Sequence, residues 1–124
     1  MASRARLEGL GRALRAVQRV PEAMRDARAE TLHDWADETR RDAEARVPVR
    51  TGRLETALDH DVVEQWGRAE VGVWNEAALE YAIYVEKGTS SMADQPYLVP
   101  AFEAARPSVP RKYRAALRRH LGAG

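Results

Sequence analysis

The sequence predicts an α+β domain in which a long N-terminal helix packs on a small antiparallel β-sheet and a C-terminal helix follows. Three observations support this fold class. Apolar residues recur every three to four positions through the first 45 residues, the period changes to two after residue 53, and a basic amphipathic segment ends the chain. The 124 residues, 44% of them hydrophobic, fit one domain. We divide it into a helical N-terminal arm (1–46), an α+β core (47–105) and a basic C-terminal helix (106–124).

The N-terminal region is predicted to contain two helical segments. Leu7, Leu10, Leu14 and Val17 lie on one side of the first. Its Arg-rich composition resembles a mitochondrial transit peptide, but we favour an amphipathic helix that docks on a partner. Pro21 predicts a kink or a break, because proline lacks a backbone donor and clashes with the preceding turn. The second segment spans roughly 22–45, and its thin apolar stripe consists of Met24, Ala27, Leu32, Trp35, Ala36 and Ala43.

A change of period then indicates β structure. The segment Val47-Pro48-Val49 ends the helix, and residues 50–53 have the composition of a turn. From 54 to 62, apolar positions alternate with charged or small ones, which predicts a half-buried strand. A turn at Gly67-Arg68 and the alternation of Val71 with Val73 predict a second strand. The two strands are expected to form an antiparallel hairpin.

The region after the hairpin leaves one alternative open. Residues 81–86 suit either a third strand or a short helix that ends at a glycine. Residues 89–96 are predicted to form a loop, and a helix is predicted to begin at 101–105. Pro107 and Pro110 interrupt it before a last helix from about 111 to 121.

The net charge of +1 conceals an uneven distribution. Residues 1–50 carry 11 basic and 9 acidic side chains, residues 51–100 carry 3 and 9, and residues 101–124 carry 6 and 1. The segments therefore have charges of +2, −6 and +5. An acidic middle between basic ends indicates contact with a charged partner, either nucleic acid or another copy of the chain.

Several kinds of chemistry are excluded or disfavoured. The chain has no cysteine, so it forms no disulfide, thiolate metal site or cysteine nucleophile. No apolar run is long enough for a membrane span, and no phosphate-binding loop, catalytic serine elbow or zinc-protease motif is present. Ser90 and Ser91 have no evident base partner. We therefore expect neither enzymatic activity nor a cofactor.

Two groups of residues could bind a metal ion but are better explained otherwise. His33 and Asp37 lie one helical turn apart without a third ligand, so a solvated pair is expected. His60 and Asp61 are neighbours on the predicted strand and face opposite sides of it. Asp59 and Asp61 share a strand face, which we interpret as a polar edge. A metal-dependent hydrolase that uses His60 and these carboxylates remains a rival class.

The last helix is basic and amphipathic. Arg111, Arg114 and Arg118 share one side, and Tyr113, Leu117 and Leu121 share another. It could bind phosphates, an anionic membrane or an acidic protein surface. No zinc-finger, homeodomain or RNA-binding signature accompanies it. We favour protein contact, because the acidic middle of a neighbouring copy is complementary in charge.

Two segments together resemble a known family. Val47-Pro-Val-Arg-Thr-Gly-Arg-Leu54 is similar to its P-x-x-T-G-x-L start. Tyr81-Ala-Ile-Tyr-Val-Glu-Lys-Gly-Thr89 and Met92-Ala-Asp-Gln-Pro-Tyr-Leu-Val-Pro-Ala101 resemble its Y-A-x-x-V-E-x-G-T … M-x-A-x-P-F-L-x-P-A signature. The family is that of gene-product-ten-like tail components of long-tailed bacteriophages, the neck or tail-completion proteins. The resemblance covers about residues 45–105, with Tyr97 where phenylalanine is usual and Asp94-Gln95 as a further departure.

The resemblance implies a non-enzymatic subunit of the virion's head–tail junction. Such a subunit would form a ring, with sixfold symmetry expected from the tail, and DNA would pass through its centre without sequence specificity. Its partners would be neighbouring neck proteins and the tail terminator or tail tube, and it would reside in the host cytoplasm during assembly. The alternative is a small nucleic-acid-binding module that uses the basic C-terminal helix.

The residues that carry the resemblance are first expected to maintain the fold. Glu86 could accept backbone N–H groups of the loop around Gly88 and Thr89, and Pro96 and Pro100 are expected to hold an extended anchor. The motif residues are Pro48, Thr51, Gly52, Leu54, Tyr81, Ala82, Tyr84, Glu86, Gly88, Thr89, Pro96, Tyr97, Leu98, Pro100 and Ala101. The candidate subunit-contact residues are Glu86, Lys87, Met92, Arg111, Arg114 and Arg118.

Overall fold

The fold is built around one long helix. The computed structural model describes residues 5–6, 8–48 and 53–122. The elements in chain order are α1 (Leu10–Arg46), α2 (Arg53–Ala57), β1 (Leu58–Val63), a 3₁₀ turn (Glu64–Trp66), β2 (Arg68–Val73), α3 (Glu76–Lys87), α4 (Leu98–Ala105), a second 3₁₀ turn (Arg106–Ser108) and α5 (Val109–Gly122). The predicted α+β class is confirmed, with the long helix, the antiparallel sheet and the C-terminal helix all present.

Helix α1 is continuous through Pro21, so the two predicted N-terminal segments are a single helix of 37 residues. Proline at this position removes one backbone donor, but the hydrogen bonds of the turns on either side are enough to maintain the helix. Gly9 precedes the helix in the left-handed conformation (φ 82°). Leu7, predicted to lie on the apolar side, falls outside the described residues.

The buried side of α1 consists of small residues. Its buried positions are Ala23, Ala27, Thr31, Ala36, Thr39 and Ala43. Small side chains let other elements approach the helix axis closely, and α1 contacts β1, β2, α4 and α5. Of the predicted stripe, Ala27, Ala36 and Ala43 are buried as expected, whereas Met24 is 46% exposed.

Strands β1 and β2 form the predicted antiparallel hairpin, with Leu58 opposite Val73 and Val63 opposite Arg68. The 3₁₀ turn and Gly67, which has φ 60°, connect them. The prediction that the first strand begins at residue 54 is wrong, because residues 53–57 form α2. Leu54 and Leu58 are both buried, and a spacing of four suits a helical turn as well as a strand.

The region after the hairpin forms two helices, α3 and α4. Residues 81–86 belong to α3, which Asn75 caps by accepting a hydrogen bond from the N–H of Ala77 at 2.9 Å. Helix α4 begins at Leu98, earlier than expected, and includes Pro100 in its first turn, where a helix needs no backbone donor. The extended anchor predicted between Pro96 and Pro100 is therefore wrong beyond Tyr97.

The core lies where the C-terminal end of α1 meets the elements that follow it. Tyr97 is its largest buried side chain, at 2% exposure. Val73, Met92 and Leu98 are partly buried against it. The buried cluster consists of Ala43, Val47, Leu54, Leu58, Ala82, Val85, Tyr97 and Ala101.

Two buried threonines of α1 differ in hydrogen bonding, and this predicts opposite effects of replacing them. The hydroxyl of Thr31 donates to the carbonyl of Ala27 at 2.7 Å, whereas the buried hydroxyl of Thr39 has no partner among the described residues. We expect Thr39→Val to raise the free energy of unfolding by about 1 kcal/mol, because it removes a desolvated polar group. Thr31→Val, the matched control, should lower it by about 1 kcal/mol. Urea denaturation measures both, and equal destabilisation by the two would contradict this account.

Candidate assembly surfaces

The histidines proposed as metal ligands make other contacts. His33 Nε2 lies 2.8 Å from Oε1 of Glu64 at the hairpin tip, and Asp37 pairs with Arg41 instead of His33. His60 Nδ1 lies 3.3 Å from a guanidinium nitrogen of Arg40. Within the described ranges no three His, Asp or Glu side chains are close enough to hold a metal ion. These histidines connect α1 to the hairpin.

Glu86 caps a helix distant from it in sequence. Its Oε1 accepts the backbone N–H of Leu98 at 2.7 Å and that of Tyr97 at 3.3 Å. These donors lie at the N-terminus of α4, which has no side-chain cap of its own. A carboxylate is also favoured there by the helix dipole. The prediction that Glu86 accepts backbone N–H groups is correct in kind, but the groups belong to α4 and not to residues 88–89.

The loop after α3 is held in a tight conformation. Gly88 has φ 76°, and a side-chain Cβ there would lie 2.8 Å from the backbone nitrogen of Asp94. The N–H of Thr89 donates to the carbonyl of Met92 at 2.8 Å, and that of Gln95 donates to the carbonyl of Val85 at 2.8 Å. Glycine is therefore required where the loop folds back on α3.

Tyr97 connects α4 to α3 from the other side. Its ring is buried, and its hydroxyl donates to the carbonyl of Ala82 at 3.2 Å. Burial and, secondarily, the carboxylate of Glu86 raise the pKa of Tyr97 to about 12. Glu86 and Tyr97 together hold α3, the loop and the start of α4 as one unit.

The remaining motif residues divide between the interior and the surface. Leu54, Ala82 and Ala101 are buried, Pro48, Leu98 and Pro100 are partly buried, and Tyr81, Tyr84, Thr89 and Pro96 are exposed. Tyr84 donates its hydroxyl to Glu80 at 2.7 Å, and this hydrogen bond raises its pKa. Thr51 and Gly52 lie outside the described residues. Of the predicted contact residues in this region, Lys87 is exposed and Met92 packs partly against the core.

One side of the basic helix α5 forms ion pairs with α1 of the same chain. Lys112 pairs with Glu38, Arg119 pairs with Glu30 at 2.6 Å, and His120 also lies 3.0 Å from Glu30. Later positions of α5 thus meet earlier positions of α1, so the helices are antiparallel. The sequence contains a signal for this pairing. Glu30 and Glu38 lie about two helical turns apart on α1, and their partners Arg119 and Lys112 lie about two helical turns apart on α5. Lys112, Arg119 and His120 therefore have acidic partners within the chain, and contact with the acidic middle of a neighbouring copy stays a prediction for Arg111, Arg114 and Arg118.

The other side of α5 remains available. Arg111, Arg114 and Arg118 are exposed, and no hydrogen bond or ion pair joins them to any other described residue. Their spacing of three and four places them together on the side away from buried Ala116. We call these three residues the α5 arginine row.

The first part of α1, residues 10–19, is amphipathic but unpacked. Leu10, Leu14 and Val17 are 51%, 52% and 64% exposed. All residues of this stretch are exposed except Ala16, which is partly buried. The opposite side carries Arg12, Arg15 and Arg19, which we call the α1 arginine row. This stretch offers an apolar surface and a basic surface on opposite sides of one helix.

Comparison with known proteins connects this architecture to phage tails. A family model described as "Bacteriophage HK97-gp10, putative tail-component" matches residues 11–88, more than half of the chain. The chain belongs to this family. Searches of curated proteins and of solved structures found no match. As a member of the HK97-gp10-like family, the chain is a structural tail component of a bacteriophage, and its place is in the virion.

The HK97-gp10-like match differs in extent from the motif resemblance. It begins in α1 and ends at Gly88, whereas the motifs cover about residues 45–105. The matched region therefore includes nearly all of the long N-terminal helix. No helix in the described part of the chain combines the length and apolar character needed to cross a membrane.

The contacts of Glu86 predict a specific loss of stability. Glu86→Ala leaves the first N–H groups of α4 without their acceptor, and we expect it to lower the free energy of unfolding by about 1–3 kcal/mol. Glu103→Ala, at an exposed glutamate of α4 with no hydrogen bond or ion pair to another described residue, should change it by less than about 0.5 kcal/mol. Chemical denaturation of both variants tests this. If the two variants are equally stable, Glu86 does not hold α4.

Tyr97 predicts a loss of stability at alkaline pH. Its pKa is about 10 in an unfolded chain and about 12 when folded, so its contribution is full below pH 10 and is lost as the pH rises towards 12. Tyr97→Phe should remove much of this decline, at a cost of about 1 kcal/mol at pH 7 for the lost hydrogen bond. Thermal melts from pH 8 to 12 measure the difference. Parallel pH profiles for wild type and variant would contradict the assignment.

Proposed function

We propose that this chain is a neck or tail-completion subunit that forms a ring at the head–tail junction, through which DNA passes. The family match over residues 11–88 is the observation that carries this proposal. We infer six copies, in keeping with the usual symmetry of long tails. The partners would be neighbouring neck proteins and the tail terminator or tail tube. The subunit would wait in the host cytoplasm until assembly, and we assign it no catalytic role.

The distribution of exposed groups supports an assembling subunit. A closed ring needs two different, complementary surfaces on each copy. The chain offers apolar side chains at the N-terminal end of α1 and two arginine rows, together with an acidic segment over residues 51–100. The unpacked stretch of α1 is especially informative, because most helical stability in proteins comes from packing of an apolar side, and here Leu10, Leu14 and Val17 are exposed.

The arginine rows support contact with DNA that does not depend on its sequence. Neither row has carboxylate partners among the described residues, so both are free to neutralise phosphates. Phosphate contacts position a protein on DNA but do not read bases. A channel that must let the whole genome pass requires this weak, salt-sensitive kind of contact.

The second candidate is a nucleic-acid-binding module, and the α5 arginine row is the observation that favours it. Three exposed arginines on one helical side would contact successive phosphates without help from a ring. This candidate and the ring proposal differ in what the isolated chain does. A module binds DNA tightly as a monomer, whereas a ring subunit does so only weakly.

The ring proposal predicts an assembly that can be observed directly. The purified chain, alone or mixed with its neck partners, should form a closed ring visible by electron microscopy, with a mass in native mass spectrometry that is a multiple of 13.9 kDa. Six copies are expected. A chain that remains monomeric under both conditions and never enters a particle would refute the proposal.

DNA binding by the isolated chain separates the two candidates. If α5 is a binding module, replacing Arg111, Arg114 and Arg118 with Gln should reduce the slope of log K against log salt by about 2.7, at about 0.9 per phosphate contact. Replacing the α1 arginine row in the same way is the matched control. We expect wild-type monomer to bind weakly and neither triple variant to change the slope by that amount. A steep slope abolished only by the α5 variant would favour the module.

A further inference from the structure

A groove lined by apolar side chains opens between α1, the start of β2, and α4 with α5. Its volume is about 530 Å³, and Leu32, Trp35, Phe102 and Val109 line it. The rings of Trp35 and Phe102 meet edge to face, with their centroids 5.9 Å apart. Two exposed cations, Arg68 and Arg106, also line the groove. The groove thus combines apolar walls with positive charge.

A second surface lies on the outer side of α3. Leu79 and Ile83, one helical turn apart, are 41% and 47% exposed. Glu76 and Glu80 lie beside them and are exposed as well. Ala82 and Val85, on the inner side of the same helix, fill the core. The α3 outer side therefore combines apolar side chains with negative charge.

We propose that the outer side of α3 from one copy docks in the groove of the next copy, with Leu79 and Ile83 against Trp35 and Phe102. The inference rests on the proposed ring and identifies the surfaces that close it. The two surfaces share no residue, so the contact is heterologous, as a closed ring requires. An amphipathic helix that lays its apolar side in a groove is a common mode of recognition.

Charge selects α3 as the occupant. Glu76 and Glu80 would meet Arg68 and Arg106, and opposite charges at the edge of an apolar contact fix its register. Arg106 has no ion-pair partner in the described part of the chain. Arg68 is exposed and makes two contacts at the surface. It forms an ion pair with Glu70 at 3.3 Å, and its guanidinium carbon lies 5.2 Å from the centroid of the Trp66 ring. Both guanidinium groups can therefore turn towards a neighbouring carboxylate.

The same charges disfavour the N-terminal stretch of α1 as the occupant of the groove. The N-terminal stretch of α1 carries Arg12, Arg15 and Arg19 and has no acidic side chain between residues 10 and 19. Placing it in the groove would bring these arginines near Arg68 and Arg106. Like charges at an interface favour other partners. Of these two helical surfaces, that of α3 is the one whose charge fits the groove.

Charge reversal tests the pairing. Arg106→Glu alone and Glu80→Arg alone should each raise the dissociation constant for self-association at least tenfold, because each places like charges together. The double variant should return it to within about threefold of wild type, because the ion pair is restored with its polarity inverted. Glu22→Arg, an exposed glutamate of α1 outside both surfaces, is the matched control and should change nothing. Sedimentation velocity over a concentration series measures all four.

Cross-linking tests the contact without relying on charge. The chain has no cysteine, so Ile83→Cys and Arg106→Cys provide single defined thiols. A mixture of the two proteins, oxidised mildly, should give a disulfide-linked dimer that contains one of each. A mixture of Glu22→Cys with Arg106→Cys should not. The assay is run on the chain alone and on the chain assembled with its neck partners.

The outcomes separate the docking proposal from the ring proposal. Rings that form normally with each single charge reversal, and that yield no Ile83→Cys to Arg106→Cys cross-link, would overturn the docking of α3 and leave the ring intact. A chain that forms no ring in any preparation would overturn the proposed function and the docking with it. Cross-linking together with charge rescue would support both.

Discussion

Close packing on the small-residue side of α1 is the constraint on which the rest of the structure depends. Alanines and threonines at Ala23, Ala27, Thr31, Ala36, Thr39 and Ala43 leave room for the hairpin on one part of the helix and for α4 and α5 on another. A larger side chain there would push these elements away from the axis. The ion pairs of Glu30 and Glu38 with α5 lie along the edge of this contact and help to set its alignment.

The motif that links the chain to its family has a physical explanation in the connection between α3 and α4. Glu86 supplies the acceptor that the N-terminus of α4 lacks, Gly88 permits the close return of the loop, and Tyr97 fills the space beneath and bonds back to α3. Each residue type is required by geometry or by hydrogen bonding within one chain.

The sequence predicts the elements of this fold better than their limits. The long helix, the hairpin and the basic last helix follow from periodicity, because one side of each is buried. The start of β1 could not be predicted, since Leu54 and Leu58 satisfy both a helical and a strand spacing. Continuity through Pro21 depends on backbone hydrogen bonds that no side-chain pattern reports. The early start of α4 depends on the side chain of Glu86, which lies 12 residues before Leu98 in the sequence. Whether 81–86 formed a strand or a helix was decided by the capping of α3 at Asn75 and Gly88.

The candidate surfaces were harder to predict, and their composition is consistent with the proposed contacts between copies. The core buries few large side chains, among them Leu54, Leu58 and Tyr97, whereas Leu10, Leu14, Ile83 and Phe102 are substantially exposed. In most domains the large apolar residues are buried together with alanine. In this chain small residues let the helices approach closely, and several large apolar residues stay exposed, where the proposed contacts between chains would use them. In the proposed ring, burial of these residues between copies would add hydrophobic stabilisation, so subunit folding and ring assembly would draw on different residues of the same helices.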